Sequence, residues 1–143
     1  MTDFSTFSKA EYETLAEFRY ALSHYLRFSK NAIELAGITL QQHQAMLSII
    51  GYPGREQVTI GELAERLQIK HHSAVGLVNR LEEQGMVERR QNEADKRQVL
   101  IGLTKKGIGV LESLANLHRE ELRHLGPQLC AMLEHITNFT NGK

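Results

Sequence analysis

The residues best equipped for chemistry cluster in the middle of the chain. The whole sequence balances 17 Lys and Arg against 17 Asp and Glu. Residues 66–106 hold nine Lys and Arg against five Asp and Glu, so the positive charge is local rather than absent. Within that stretch Ala74, Leu77, Val78 and Leu81 recur at steps of three and four, the period of a helix with one buried face. The remaining positions, His71, His72, Ser73, Val75, Gly76, Asn79 and Arg80, are left on the outside, with Lys70 just ahead of them. His, Ser, Asn, Lys and Arg donate hydrogen bonds to base edges and phosphates, and glycine allows close approach. Any amphipathic surface helix exposes polar residues, so this face alone is equally well read as solvated surface. The absence of Asp and Glu from residues 66–81 tips the reading toward an anionic partner.

A second group follows. Met86-Val87-Glu88-Arg89-Arg90 and Gln98-Val99-Leu100-Ile101-Gly102-Leu103 read as strands joined by the polar loop from Gln91 to Arg97. The loop end carries Lys96 and Arg97, and an arginine on a thin loop suits the narrow, strongly negative minor groove of DNA. Asp95 is unexpected there. Its expected role is internal, bonding loop amides or orienting Arg97.

Helices must hold these groups in place. Leu15, Phe18, Leu22, Tyr25, Ser29, Ala32 and Ala36 predict a helix over about 9–36, ended by Gly37. At about 1.5 Å per residue it would be roughly 40 Å long. A domain of this size has a radius of gyration of about 14–15 Å, so such a helix is expected to pack on a second copy of the chain. Thr39 and Gln42 predict a capping box and a second helix to about Ile50, stopped by Gly51-Tyr52-Pro53-Gly54. Thr59 and Glu62 repeat the device for a helix through Leu67, and Gln68-Ile69-Lys70 is a turn before the helix from His71 to Gln84. The β content is expected to be one hairpin. Thr104 starts another helix along Ile108, Leu111, Leu114 or Ala115, Leu117 or His118, Leu122 and Leu125. Gly126-Pro127 is expected to break it before a last helix to about Phe139, with residues 140–143 disordered.

Two short helices joined by a three-residue turn, followed by a hairpin, form a winged helix-turn-helix layout. Leu81-Glu82, Gly85-x-Val87-x-Arg89, Asp95-x-Arg97 and Leu103-Thr104-x-x-Gly107 together resemble the core of the MarR family of bacterial winged-helix regulators. The flanking helices also match that family's layout, so the resemblance covers nearly the whole chain. It implies a mainly α single domain with one small β-hairpin wing. The winged lobe would span about 55–103 and the dimerisation helices about 9–36 and 104–139. It further implies a homodimer on a pseudo-palindromic double-stranded operator, acting as a repressor released by a small-molecule effector. Residues 71–80 would read the major groove and Arg97 the minor groove, with Lys70, Arg89, Asp95 and Lys96 completing the DNA-binding set. An effector pocket would draw on Tyr20, His24, Arg27, His43, Met46 and Met86. Two departures stand out: Lys70 replaces the small capping residue usual before the reading helix, and His71-His72 replace smaller polar residues. Lys70 cannot accept a bond from the helix amides, and a histidine pair predicts operator affinity that changes between pH 6 and 8. The alternative reading is a winged-helix module for protein interaction or dimerisation that does not bind DNA.

Other chemistries find little footing. His118 and His124 are six residues apart and do not share a helix face, and His71 and His72 are adjacent. No pair has the i, i+4 spacing of helical metal ligands, so neither a metal nor any other cofactor is expected. A single cysteine, Cys130, suits a reducing cytoplasm, and its apolar neighbours predict an inert buried thiol. No nucleophile–base constellation, phosphate loop, secretory leader or membrane span is legible, so the expectation is a cytoplasmic protein that is not an enzyme.

Overall fold

In a computed structural model, residues 6–139 are described. The elements run α1 (Lys9–Leu35), α2 (Leu40–Ile50), β1 (Gln57–Val58), α3 (Ile60–Leu67), α4 (His71–Glu83), β2 (Val87–Gln91), β3 (Val99–Leu103) and α5 (Lys105–Thr137). The described residues form two compact units, one of residues 6–32 with 116–139 and one of Ile33–Ala115. The fold is mainly helical with one small antiparallel sheet.

Local chemistry sets the boundaries in the Ile33–Ala115 lobe. At α2 the Thr39 side chain accepts from the Gln42 amide and the Gln42 side chain accepts from the Thr39 amide; Thr59 and Glu62 do the same at α3. These boxes satisfy amides that a helix N-terminus otherwise leaves unpaired. Gly37 and Gly85 take φ of +84° and +75°, the left-handed geometry that lets the chain leave a helix. Thr104 caps α5 by accepting from the Gly107 amide at 3.0 Å.

The lobe's core is made by Ile33, Met46, Ile49, Val58, Leu63, Leu77, Leu81, Val87, Ile101 and Leu114, each 2% exposed or less. Ala74, Leu77, Val78 and Leu81 of α4 are all buried, as their spacing predicts. The helical unit differs. Among the described residues its one buried apolar side chain is Ala21, while Leu15, Phe18, Leu22, Tyr25 and Ala32 are only half-buried.

Three sequence expectations need correction. The sheet has three strands in the order β1-β3-β2, because Gln57 and Val58 pair with Gly102 and Ile101 beyond the hairpin. Two residues are too short to show any alternation. Next, α5 passes through Pro127 unbroken. Proline removes one amide donor, but Leu125, Leu129, Met132 and Ile136 keep one half-buried stripe in register across it. Cys130 is exposed rather than buried, lying off that stripe. The turn expected at Gln68 is present, and there Gln68 caps α3 in the left-handed region at φ 56°. The expected disorder of residues 140–143 lies outside the described residues. Among the described residues no helix is long and apolar enough to cross a membrane.

Candidate nucleic-acid interface

The face of α4 opposite its buried side is open. His71, His72, Ser73, Asn79 and Arg80 are exposed, and Val75 and Gly76 are half-buried. At 100° per residue, His72, Gly76 and Asn79 fall within about 60° of one another, directly opposite Leu81 and Ala74. The Arg80 guanidinium lies along this surface, with Nη1 3.5 Å from where a Cβ on Gly76 would sit. Lys70 occupies the N-cap with no side-chain capping bond, which leaves the first amides of α4 without that partner.

The wing tip is stapled by its own side chains. Asn92 Oδ1 accepts from the Ala94 amide at 3.0 Å, and Gln91 Nε2 donates to the Lys96 carbonyl at 2.7 Å. Asn92 Nδ2 donates to Gln98 Oε1 at 2.9 Å. Asp95 Oδ1 accepts from both the Arg97 amide and Arg97 Nε, each at 3.1 Å. Those bonds from Arg97 hold the Asp95 carboxyl below the usual carboxylate range. The Arg97 side chain nevertheless stays 91% exposed, so it is oriented without being covered. Lys96 is exposed beside it.

Arg89 sits differently. Register pairs Val87 with Leu103 and Arg89 with Ile101, which puts Arg89 on the core side of the sheet with Val87 and Ile101. Its Nη1 donates to Glu82 Oε1 at 2.5 Å and its Nη2 to Asn79 Oδ1 at 2.7 Å. Both terminal nitrogens therefore turn back to α4. Arg90, on the opposite face, pairs with Glu88.

The beginning of α5 grips the end of α4 and the turn after it. Thr104 Oγ1 donates to the Gly85 carbonyl at 2.5 Å, the Thr104 amide to the Met86 carbonyl at 3.0 Å and Lys106 Nζ to the Gln84 carbonyl at 2.9 Å. A Cβ on Gly107 would overlap the Met86 carbonyl oxygen, which is why only glycine fits there. Glu82, Thr104 and Lys106 escaped the sequence-based assignment because their partners lie seven to 22 residues away.

Of the residues expected to line an effector pocket, Tyr20, His24 and Arg27 belong to the helical unit and His43, Met46 and Met86 to the lobe. Tyr20 is 62% exposed on α1, its ring edge-on to His24 at 4.6 Å, and Arg27 is exposed on the same helix. His43 is half-buried on α2. Met46 and Met86, 0% and 6% exposed, are part of the lobe's core. Among the described residues no cluster of three His, Cys, Asp or Glu could hold a metal ion.

Comparison with known proteins supports the same reading. A sequence model of the MarR family matches residues 36–98. The chain is 28% identical over 115 residues to the organic hydroperoxide resistance transcriptional regulator of Bacillus subtilis, covering 73% of this chain and 76% of that one. It is 35% identical over 85 residues to the transcriptional activatory protein BadR of Rhodopseudomonas palustris, covering 59% and 48%. Its fold is similar to that of a MarR variant from Escherichia coli in complex with operator DNA. The TM-score is 0.61 at 27% identity, over 83% of this chain and 86% of that one.

Proposed function

We propose that the chain is a regulator of the MarR type, which controls transcription by binding a pseudo-palindromic double-stranded operator as a homodimer; the family model over residues 36–98 and the similarity to known regulators support this reading. The observation that carries this is the wing tip, where Asp95 fixes an Arg97 side chain that remains 91% exposed. An exposed arginine held by its neighbours loses little conformational freedom on entering a minor groove. Residues His71, His72, Ser73, Val75, Gly76, Asn79 and Arg80 supply the major-groove surface, and Lys70 and Lys96 supply phosphate contacts.

The dimer is supported by the helical unit. Tyr20, Leu26, Leu117, Leu122 and Leu133 are each 40–62% exposed there. A second copy offers an apolar partner for these side chains. Two reading helices seated in successive grooves would occlude a promoter, and repression is the simplest consequence. Release by a small molecule binding near Tyr20, His24 and Arg27 completes the proposal. The relative named as an activatory protein marks the sign of regulation as a point for experiment.

A mobility shift on the DNA upstream of the protein's own gene tests the reading. Wild type is expected to shift that fragment in preference to unrelated DNA at about 100 mM salt, and Arg97→Ala to bind about ten- to a hundredfold more weakly. No sequence-preferring shift would leave a protein-interaction module instead. An unaffected Arg97→Ala would overturn the role of the wing.

A further inference from the structure

Asn79 lies with His72 and Gly76 at the centre of the exposed face of α4, and its amide is not free to turn over. Arg89 can only donate hydrogen bonds, so the atom 2.7 Å from its Nη2 must be the Asn79 oxygen. The guanidinium is itself fixed, by Glu82 at 2.5 Å on its other terminal nitrogen and by its place on the core side of β2. Both hydrogens of Asn79 Nδ2 then remain for a partner outside the protein, while its oxygen, with one lone pair held by a cation, is turned toward Arg89 and away from such a partner.

This bears on which base such a side chain can read. An asparagine that reads adenine donates to N7 and accepts from the N6 amino group, and so needs both ends of its amide. Guanine presents two acceptors, N7 and O6, on the same edge, and needs donors alone. Building on the DNA-binding function proposed above, we infer that Asn79 is a specificity residue that reads a guanine in each operator half-site, and that Arg89 is the positioning residue that sets its amide. Gly76, one turn earlier and without a side chain, clears the approach to that base. Arg89 thus acts on sequence recognition without touching DNA.

Asn79→Asp separates recognition from structure, because an aspartate keeps an acceptor for Arg89 and loses both donors. The test uses the purified full chain and an operator obtained by selection from random DNA. Dissociation constants are measured for wild type, Asn79→Asp and Arg89→Met on that operator and on copies with each guanine replaced by 7-deazaguanine. The expected results are an Asn79→Asp melting temperature no lower than wild type and operator affinity at least tenfold weaker. One 7-deazaguanine position per half-site should weaken wild type about tenfold and leave Asn79→Asp unchanged. Arg89→Met should accept adenine at that position within about threefold of guanine. Asn79→Asp binding with wild-type affinity and base preference would overturn the inference, leaving Asn79 as a helix-to-sheet tie. Equal weakening on every sequence, unrelated DNA included, would also overturn it, by placing the contact on phosphate. If wild type itself shows no sequence preference, the failure belongs to the DNA-binding function, which the Arg97→Ala comparison registers separately.

Discussion

Gly76 and Arg97 show how single positions on the proposed interface divide stability from recognition. Glycine inside a helix costs up to about 1 kcal/mol relative to alanine. A Cβ at Gly76 would meet Arg80 Nη1 at 3.5 Å, an ordinary van der Waals contact, so the free protein has room for alanine. Gly76→Ala is therefore expected to raise unfolding stability in urea by about 0.5–1 kcal/mol and to bind operator about tenfold more weakly. Equal binding by the variant would show that the helix does not approach its partner closely at that point. Gly76 was legible in the sequence because helical periodicity fixes which residues face away from the core, and Arg97 because it ends a polar loop between two strand-like runs. The partner of Arg89 was not. Its strand position reads as surface until the register with Ile101 turns it inward, toward Asn79 and Glu82.

At the scale of elements, the connection between α3 and α4 carries two local irregularities side by side. Gln68 takes φ 56°, a region that costs a residue with a Cβ roughly 1 kcal/mol, and Lys70 leaves the α4 N-terminus uncapped. Gln68→Gly and Lys70→Ser are each expected to stabilise the protein by about 1 kcal/mol in equilibrium unfolding. Lys70→Ser should also weaken DNA binding by removing a phosphate contact. A loss of stability in either variant would contradict this account of the turn. On α3, burial works against ionisation of Glu62, but hydrogen bonds from the Thr59 amide and Tyr52 and the nearby Arg55 charge outweigh it. Its carboxyl is held below the ordinary value of 4.5. A carboxylate shifted down in the folded state adds stability above its unfolded pKa and loses it as pH falls through the folded one. Glu62→Gln preserves the capping-box pattern, so it should be less stable than wild type at pH 7, with the gap closing as pH drops below about 4.5. A gap independent of pH would assign the effect to packing instead. The capping boxes were readable because each is spelled within four residues. β1 was not, because a two-residue strand exists only through its pairing with β3.

Taken whole, the chain divides its labour. The buried apolar side chains concentrate in the Ile33–Ala115 lobe, while the helical unit leaves Tyr20, Leu26, Leu117 and Leu133 between 45% and 62% exposed. Zero net charge coexists with an excess of four positive charges over residues 66–106. That arrangement directs one face toward phosphate without making the entire surface adhesive. The length of the first helix, Lys9–Leu35, was legible in the sequence, and the second copy it suggests is part of the proposed function. The continuity of α5 through Pro127 was hidden, because a local helix-breaking rule competed with a stripe of apolar contacts running past it. The proposed dimer places one reading helix in each of two successive major grooves, with half-site centres about 10 bp apart. The most direct test is hydroxyl-radical footprinting of the upstream DNA, combined with the binding stoichiometry on the same fragment. Two protected half-sites about 10 bp apart, occupied by two chains, are the expected result. One chain per site, or protection with no sequence preference, would contradict it.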